Sequence, residues 1–111
     1  MNVLTAKYET LGDTLKVTLS GEIDHHSAKD IREEIDGRIM ETRPRTLILN
    51  LKSIGFMDSS GLGLILGRYS KMKEYGGVLK VVDPAAGAAR VLKLSAADKI
   101  IPIEWTEEKK Q

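Results

Sequence analysis

The chain has 111 residues, enough for one domain that folds alone, and a domain of this size buries roughly 65% of the surface its extended chain exposes. Seventeen basic against sixteen acidic side chains give a formal net charge of +1, and only 5% of residues are aromatic, so neither bulk attraction to nucleic acid or anionic membrane nor a stacking platform for single strands is available. With no cysteine, nothing resembling a signal peptide in residues 1–7 and no apolar run near the ~20 residues of a membrane span, the expectation is a soluble cytoplasmic domain over residues 1–111 without disulfide or thiolate metal site.

Residues 4–8 and 15–20 read as two strands joined through Leu11-Gly12-Asp13, where Gly12 supplies the positive φ of a turn. Leu15, Val17 and Leu19 alternate with Lys16, Thr18 and Ser20, so one face of this hairpin is buried and the other wet. Gly21-Glu22-Ile23-Asp24 reads as a loop. Asp24 or Ser27 caps the following helix, with Asp30 three residues past Ser27 as in a capping box. Ala28, Ile31, Ile35 and Ile39 recur at three or four, which makes that helix amphipathic, and it ends before Pro44. Gly37 weakens its middle by about 1 kcal/mol relative to Ala.

The apolar run over residues 46–51 reads as a buried strand, followed by a turn over residues 53–57 and a second helix. Asp58, Ser59 and Ser60 are all good N-cap types, and Leu62, Ile65, Leu66 and Tyr69 fall on one helical face. Whichever residue caps, a hydroxyl sits among unpaired first-turn N–H groups, where a phosphate is held without melting the helix. A serine at a helix start is ordinarily only a cap. Gly76-Gly77 stops this helix and residues 78–82 read as a strand. Asp83-Pro84 begins a third helix with Pro at its first position, carrying Val91, Leu92 and Leu94, and residues 100–103 around Pro102 read as an edge strand. Strands alternating with helices after a hairpin imply an α/β fold with a mixed sheet and right-handed crossovers.

Met57-Asp58-Ser59-Ser60-Gly61-Leu62-Gly63, followed by Ile65-Leu66-Gly67-Arg68-Tyr69, resembles the signature of the bacterial anti-sigma factor antagonists, or anti-anti-sigma factors, whose fold is the STAS domain. Gly21-Glu22-Ile23-Asp24-His25-His26-Ser27-Ala28 resembles a second signature of that family, and the likeness is greatest to its sporulation sigma-F branch, over about residues 3–105. The resemblance implies a sheet of four or five strands with helices packed largely on one side. It implies that an anti-sigma factor, itself a serine kinase, phosphorylates Ser60, with the adjacent Ser59 as rival acceptor, and that a serine phosphatase reverses this. It implies partner binding through Gly21, Glu22, Asp24, Met57, Asp58, Ser59, Ser60, Gly61 and Leu62. The lack of a side chain on Gly61 would let a partner's backbone or a nucleotide phosphate approach closely. Asp58 and Asp24 also have the simpler reading of helix caps. The family usually carries one more helix, whereas only residues 106–111 follow Trp105, so a last helix is expected to be one turn at most and to leave apolar surface near Trp105 uncovered.

Other chemistries find less support. His25 and His26 are adjacent, and adjacent residues usually point different ways; with no matching Cys or carboxylate cluster, no metal or other cofactor is expected. Ser60 is followed directly by Gly61, so the nucleophile elbow of a hydrolase is absent, and Gly61, Gly63 and Gly67 miss the dinucleotide fingerprint by one residue. A non-enzymatic regulator is therefore expected; the alternative is a STAS module that scaffolds a stress-signalling or transport complex without regulated release of sigma.

Overall fold

The computed structural model describes residues 3–106. Five strands, β1 (Thr5–Leu11), β2 (Thr14–Ile23), β3 (Thr46–Met57), β4 (Val78–Val82) and β5 (Ile103–Glu104), form one sheet in sequential order. β1 and β2 are an antiparallel hairpin, and the other neighbours are parallel. The parallel pairs are bridged by α1 (His25–Thr42), α2 (Ser59–Glu74) and α3 (Ala86–Leu94). Each crossover steps one strand in the same direction, and right-handed crossovers of that kind lay the helices on one face.

Alternation in the strands supplies the floor of the core. Leu15, Val17 and Leu19 of β2 and Leu47, Leu49 and Leu51 of β3 are buried, while the residues between them stay partly wet. From above come Ala28, Ile31, Ile35 and Ile39 of α1, all four buried as their spacing predicts. On α2 the buried stripe is Gly61, Leu64, Ile65, Arg68 and Met72, whereas Leu62, Leu66 and Tyr69 lie at its flank. The expected face was therefore rotated, because it overlooked a buried charge. Arg68 is 5% exposed; its Nε lies 2.9 Å from Asp36 Oδ1 of α1, and its Nη2 donates to Asp36 Oδ2 at 3.4 Å. Its Nη1 donates to the Leu64 carbonyl at 3.2 Å.

Four expected boundaries change. Of the residues read as a loop, Gly21 to Asp24, the first three are the end of β2 and Asp24 is a helix cap, and those read as a turn, Ser53 to Met57, are the end of β3. Each stretch supplies the other's hydrogen-bonding partner, with Gly21 opposite Ile54, Glu22 opposite Phe56 and Ile23 opposite Met57 after two register shifts. The third helix starts later than Asp83-Pro84: Asp83 has φ +49 and accepts from the Thr106 amide at 2.8 Å, so its carboxylate is not at a helix start, and Ala85 is the N-cap. The expected edge strand shortens to Ile103–Glu104, directly after Pro102. Trp105 is 47% exposed and, with Pro84, Ala89, Ile101 and Ile103, lines a groove of about 350 Å³. The short last helix expected over residues 106–111 falls mostly outside the described residues.

Candidate functional site

The parallel ends of β2 and β3 lie side by side, and each passes into its helix through one aspartate. The Asp58 amide donates to the Ile23 carbonyl at 3.3 Å, joining the two exits. Both helix starts therefore emerge beside each other at the carboxyl ends of parallel strands, where open α/β sheets commonly place ligand sites.

Asp24 caps α1. Its Oδ1 accepts from the amides of His26 at 3.0 Å and Ser27 at 2.9 Å, while Ser27 Oγ accepts from the Asp24 amide at 3.0 Å. The capping box thus pairs Asp24 with Ser27, and the expected partnership of Ser27 with Asp30 is not made, because Ser27 already serves as the third residue of the first turn. The Ser27 amide is the main reason the Asp24 carboxyl titrates below its ordinary value; slight desolvation opposes it, and the Ser27 hydroxyl and His26 amide add to it.

Asp58 caps α2, its Oδ1 accepting from the Ser60 amide at 2.8 Å. The cap is thereby supplied by a carboxylate, and the hydroxyls of Ser59 and Ser60 have no hydrogen-bond partner among the described residues. Ser59 is exposed. Ser60 is half-buried and lines a groove of about 390 Å³ between α1 and α2, together with His25, Ala28, Lys29, Arg32, Gly63 and Leu64. The hydroxyl is thus at a solvent-facing wall and not inside the core.

The remaining expected site residues divide into surface and support. Glu22, Asp24, Asp58 and Leu62 are half-buried at the same end of the sheet. Met57 is 4% exposed and points inward. Gly61 is buried as well: a Cβ there would overlap Met57 Cγ and stand 2.8 Å from Met57 Sδ and 3.2 Å from Ile23 Cγ2. The absent side chain thus makes room for Met57, not for a partner. Gly21, at φ +111, carries the Val3–Leu4 backbone across it, with Val3 C 2.9 Å from where a Cβ would be. Gly21, Met57 and Gly61 shape the site from beneath.

Two features were missed. Phe56, 49% exposed, stands opposite Glu22 in the sheet register at the rim. Lys29 and Arg32 join His25 on the groove wall. Their spacing of four and three along α1 was the available signal, but its meaning depends on α2 lying alongside. His25 and His26 meet edge to face with ring centroids 5.7 Å apart. No helix of the described residues is long and apolar enough to cross a membrane.

The STAS domain family model matches residues 5–110. The chain is 44% identical over 89 residues to the anti-sigma F factor antagonist of Paenibacillus polymyxa, an alignment covering 80% of this chain and 76% of that one. Its fold superposes on the anti-sigma factor antagonist SpoIIAA in its unphosphorylated form with a TM-score of 0.81 at 30% identity, over 94% of this chain and 90% of the other. The phosphorylated form of the Bacillus cell fate determinant SpoIIAA gives a TM-score of 0.75, also at 30% identity, over 94% and 93% of the two chains.

Proposed function

The chain belongs to the STAS domain family, and from that premise we propose that it is an anti-sigma factor antagonist whose binding is switched off by phosphorylation of Ser60. One observation carries the reading: the Ser60 hydroxyl is unengaged on a helix whose cap is already made by Asp58. A serine needed only as a cap would spend its oxygen on the first-turn amides.

In this account the unmodified protein docks on an anti-sigma serine kinase through the ends of β2 and β3 and the first turn of α2. Glu22, Asp24, Asp58, Ser59, Ser60 and Leu62 face the partner, and the sigma factor is displaced. The kinase then uses ATP. The Ser60 oxygen bonds to the γ-phosphorus as the bond to the bridging oxygen breaks, ADP leaves with that electron pair, and the hydroxyl proton passes to a base of the kinase. This chain contributes the acceptor and its placement; the catalytic groups belong to the kinase. The phosphoserine brings a charge of roughly −1.5 to −2 into the docking surface. Opposed charge and lost fit costing about 2.8 kcal/mol lower affinity by about two orders of magnitude. The fold is retained, because the start of α2 favours an anion. A serine phosphatase resets the protein.

Incubation with the cognate anti-sigma kinase and ATP tests this by mass spectrometry. The expected result is a gain of one phosphoryl group that disappears in Ser60→Ala. A gain undiminished in Ser60→Ala would move the acceptor to Ser59, and tight binding without any gain would favour the scaffolding role instead.

A further inference from the structure

The groove beside Ser60 has an unbalanced charge. Its α1 wall carries His25, Lys29 and Arg32, and its α2 wall carries Ser60, Gly63 and Leu64, with no carboxylate in the lining. Lys29 and Arg32 make no ion pair among the described residues. The buried cation Arg68 is already matched by Asp36, while Arg32 acts on it as a like charge. Ala28 carries only a methyl group and Gly63 no side chain on the groove walls, and a groove of about 390 Å³ has room for a phosphoryl group without moving the helices.

We propose that this groove is an internal receptor for the phosphoryl group of Ser60, held by Lys29 and Arg32 across the α1–α2 gap. The inference rests on Ser60 being the modified residue. It adds that α1 of the same chain, and not only the start of α2, binds the new anion. The phosphorylated protein is then a form with its charge partly neutralised from within, and the groove cations are withdrawn from any partner that used them. Asp58 beneath the first turn opposes the anion, as do Glu22 and Asp24 at the neighbouring strand exit, and His25 adds positive charge when protonated. These groups are common to the proteins compared below, so their contribution cancels.

The test uses the full chain with phosphoserine installed at position 60 during synthesis, so that it does not depend on any kinase. The second ionisation of the phosphate is followed by ³¹P NMR in the otherwise native chain, in Lys29→Gln/Arg32→Gln, and in Lys71→Gln/Lys73→Gln, which removes the same charge from the far end of α2. The expected pKa in the native chain lies about half a unit or more below that of Lys29→Gln/Arg32→Gln. The Lys71→Gln/Lys73→Gln control stays close to the native value, and Lys29→Gln and Arg32→Gln singly give part of the shift. Equal pKa values in all of these, or equal shifts in groove and control variants, would overturn the receptor. Failure of the kinase to modify Ser60 would instead overturn the functional reading and leave this titration informative.

Discussion

Met57 and Gly61 interlock at the turn between β3 and α2, the methionine side chain filling the place where a Cβ on residue 61 would be. Gly61→Ala is therefore an overpacking substitution and is expected to cost about 1–3 kcal/mol in urea unfolding. Because the clash is chiefly with Met57, the loss in Gly61→Ala/Met57→Ala should be smaller than the two single losses summed. Additive losses would show that Met57 is not what Gly61 accommodates.

The buried Arg68 tied to Asp36 joins α2 to α1. Removing the anion strands a guanidinium that is 6% exposed, so Asp36→Ala is expected to destabilise by about 2–3 kcal/mol, less than a fully enclosed pair because Asp36 itself is 27% exposed. Arg68→Met/Asp36→Leu should recover most of that, since an apolar pair has no charge to desolvate. A double variant no more stable than Asp36→Ala would contradict this account of the pair.

These residues also mark where sequence reading reached and where it stopped. Ala28, Ile31, Ile35 and Ile39 were legible because the helical period is local and all four are apolar. Arg68 was not, because a charge reads as surface until its partner thirty-two positions away is seen beside it. The far ends of β2 and β3 were hidden for a related reason: Gly21, Lys52, Ser53 and Gly55 break the alternation, and the two stretches become strands by pairing with each other. At the site, the helix start at Asp58 was visible in residue types, but which of three candidates caps it was not. The groove cations required two helices to be brought together.

Asp58→Ala removes the side-chain cap of α2 and is expected to cost about 1 kcal/mol, with Asp58→Asn losing only a fraction of that. If instead Ser59 or Ser60 takes over as cap, Asp58→Ala will be nearly neutral, and phosphoryl acceptance at Ser60 should slow.

Asp24 sets an acid dependence. Its carboxyl is held below the ordinary value near 3.8, chiefly by the Ser27 amide. The charged cap therefore contributes stability that is present above the unfolded-state pKa and is lost as pH falls through the lower folded value. Asp24→Asn keeps an acceptor at the cap but has no such proton, so its melting temperature should fall less steeply than that of the native chain as pH drops below the ordinary carboxyl value near 3.8. The Asp83 carboxyl, lowered by the Thr106 hydroxyl and amide, leaves a residual slope in both proteins. Parallel curves would assign no acid sensitivity to Asp24.

The most direct measurement is a calorimetric titration of the anti-sigma kinase with unmodified protein and with the same chain carrying phosphoserine at position 60, both checked by circular dichroism. The account predicts an affinity about a hundredfold weaker for the phosphorylated chain with superimposable spectra. Equal affinities, or a weakened affinity accompanied by lost helix signal, would contradict a switch that works by local charge on an unchanged fold.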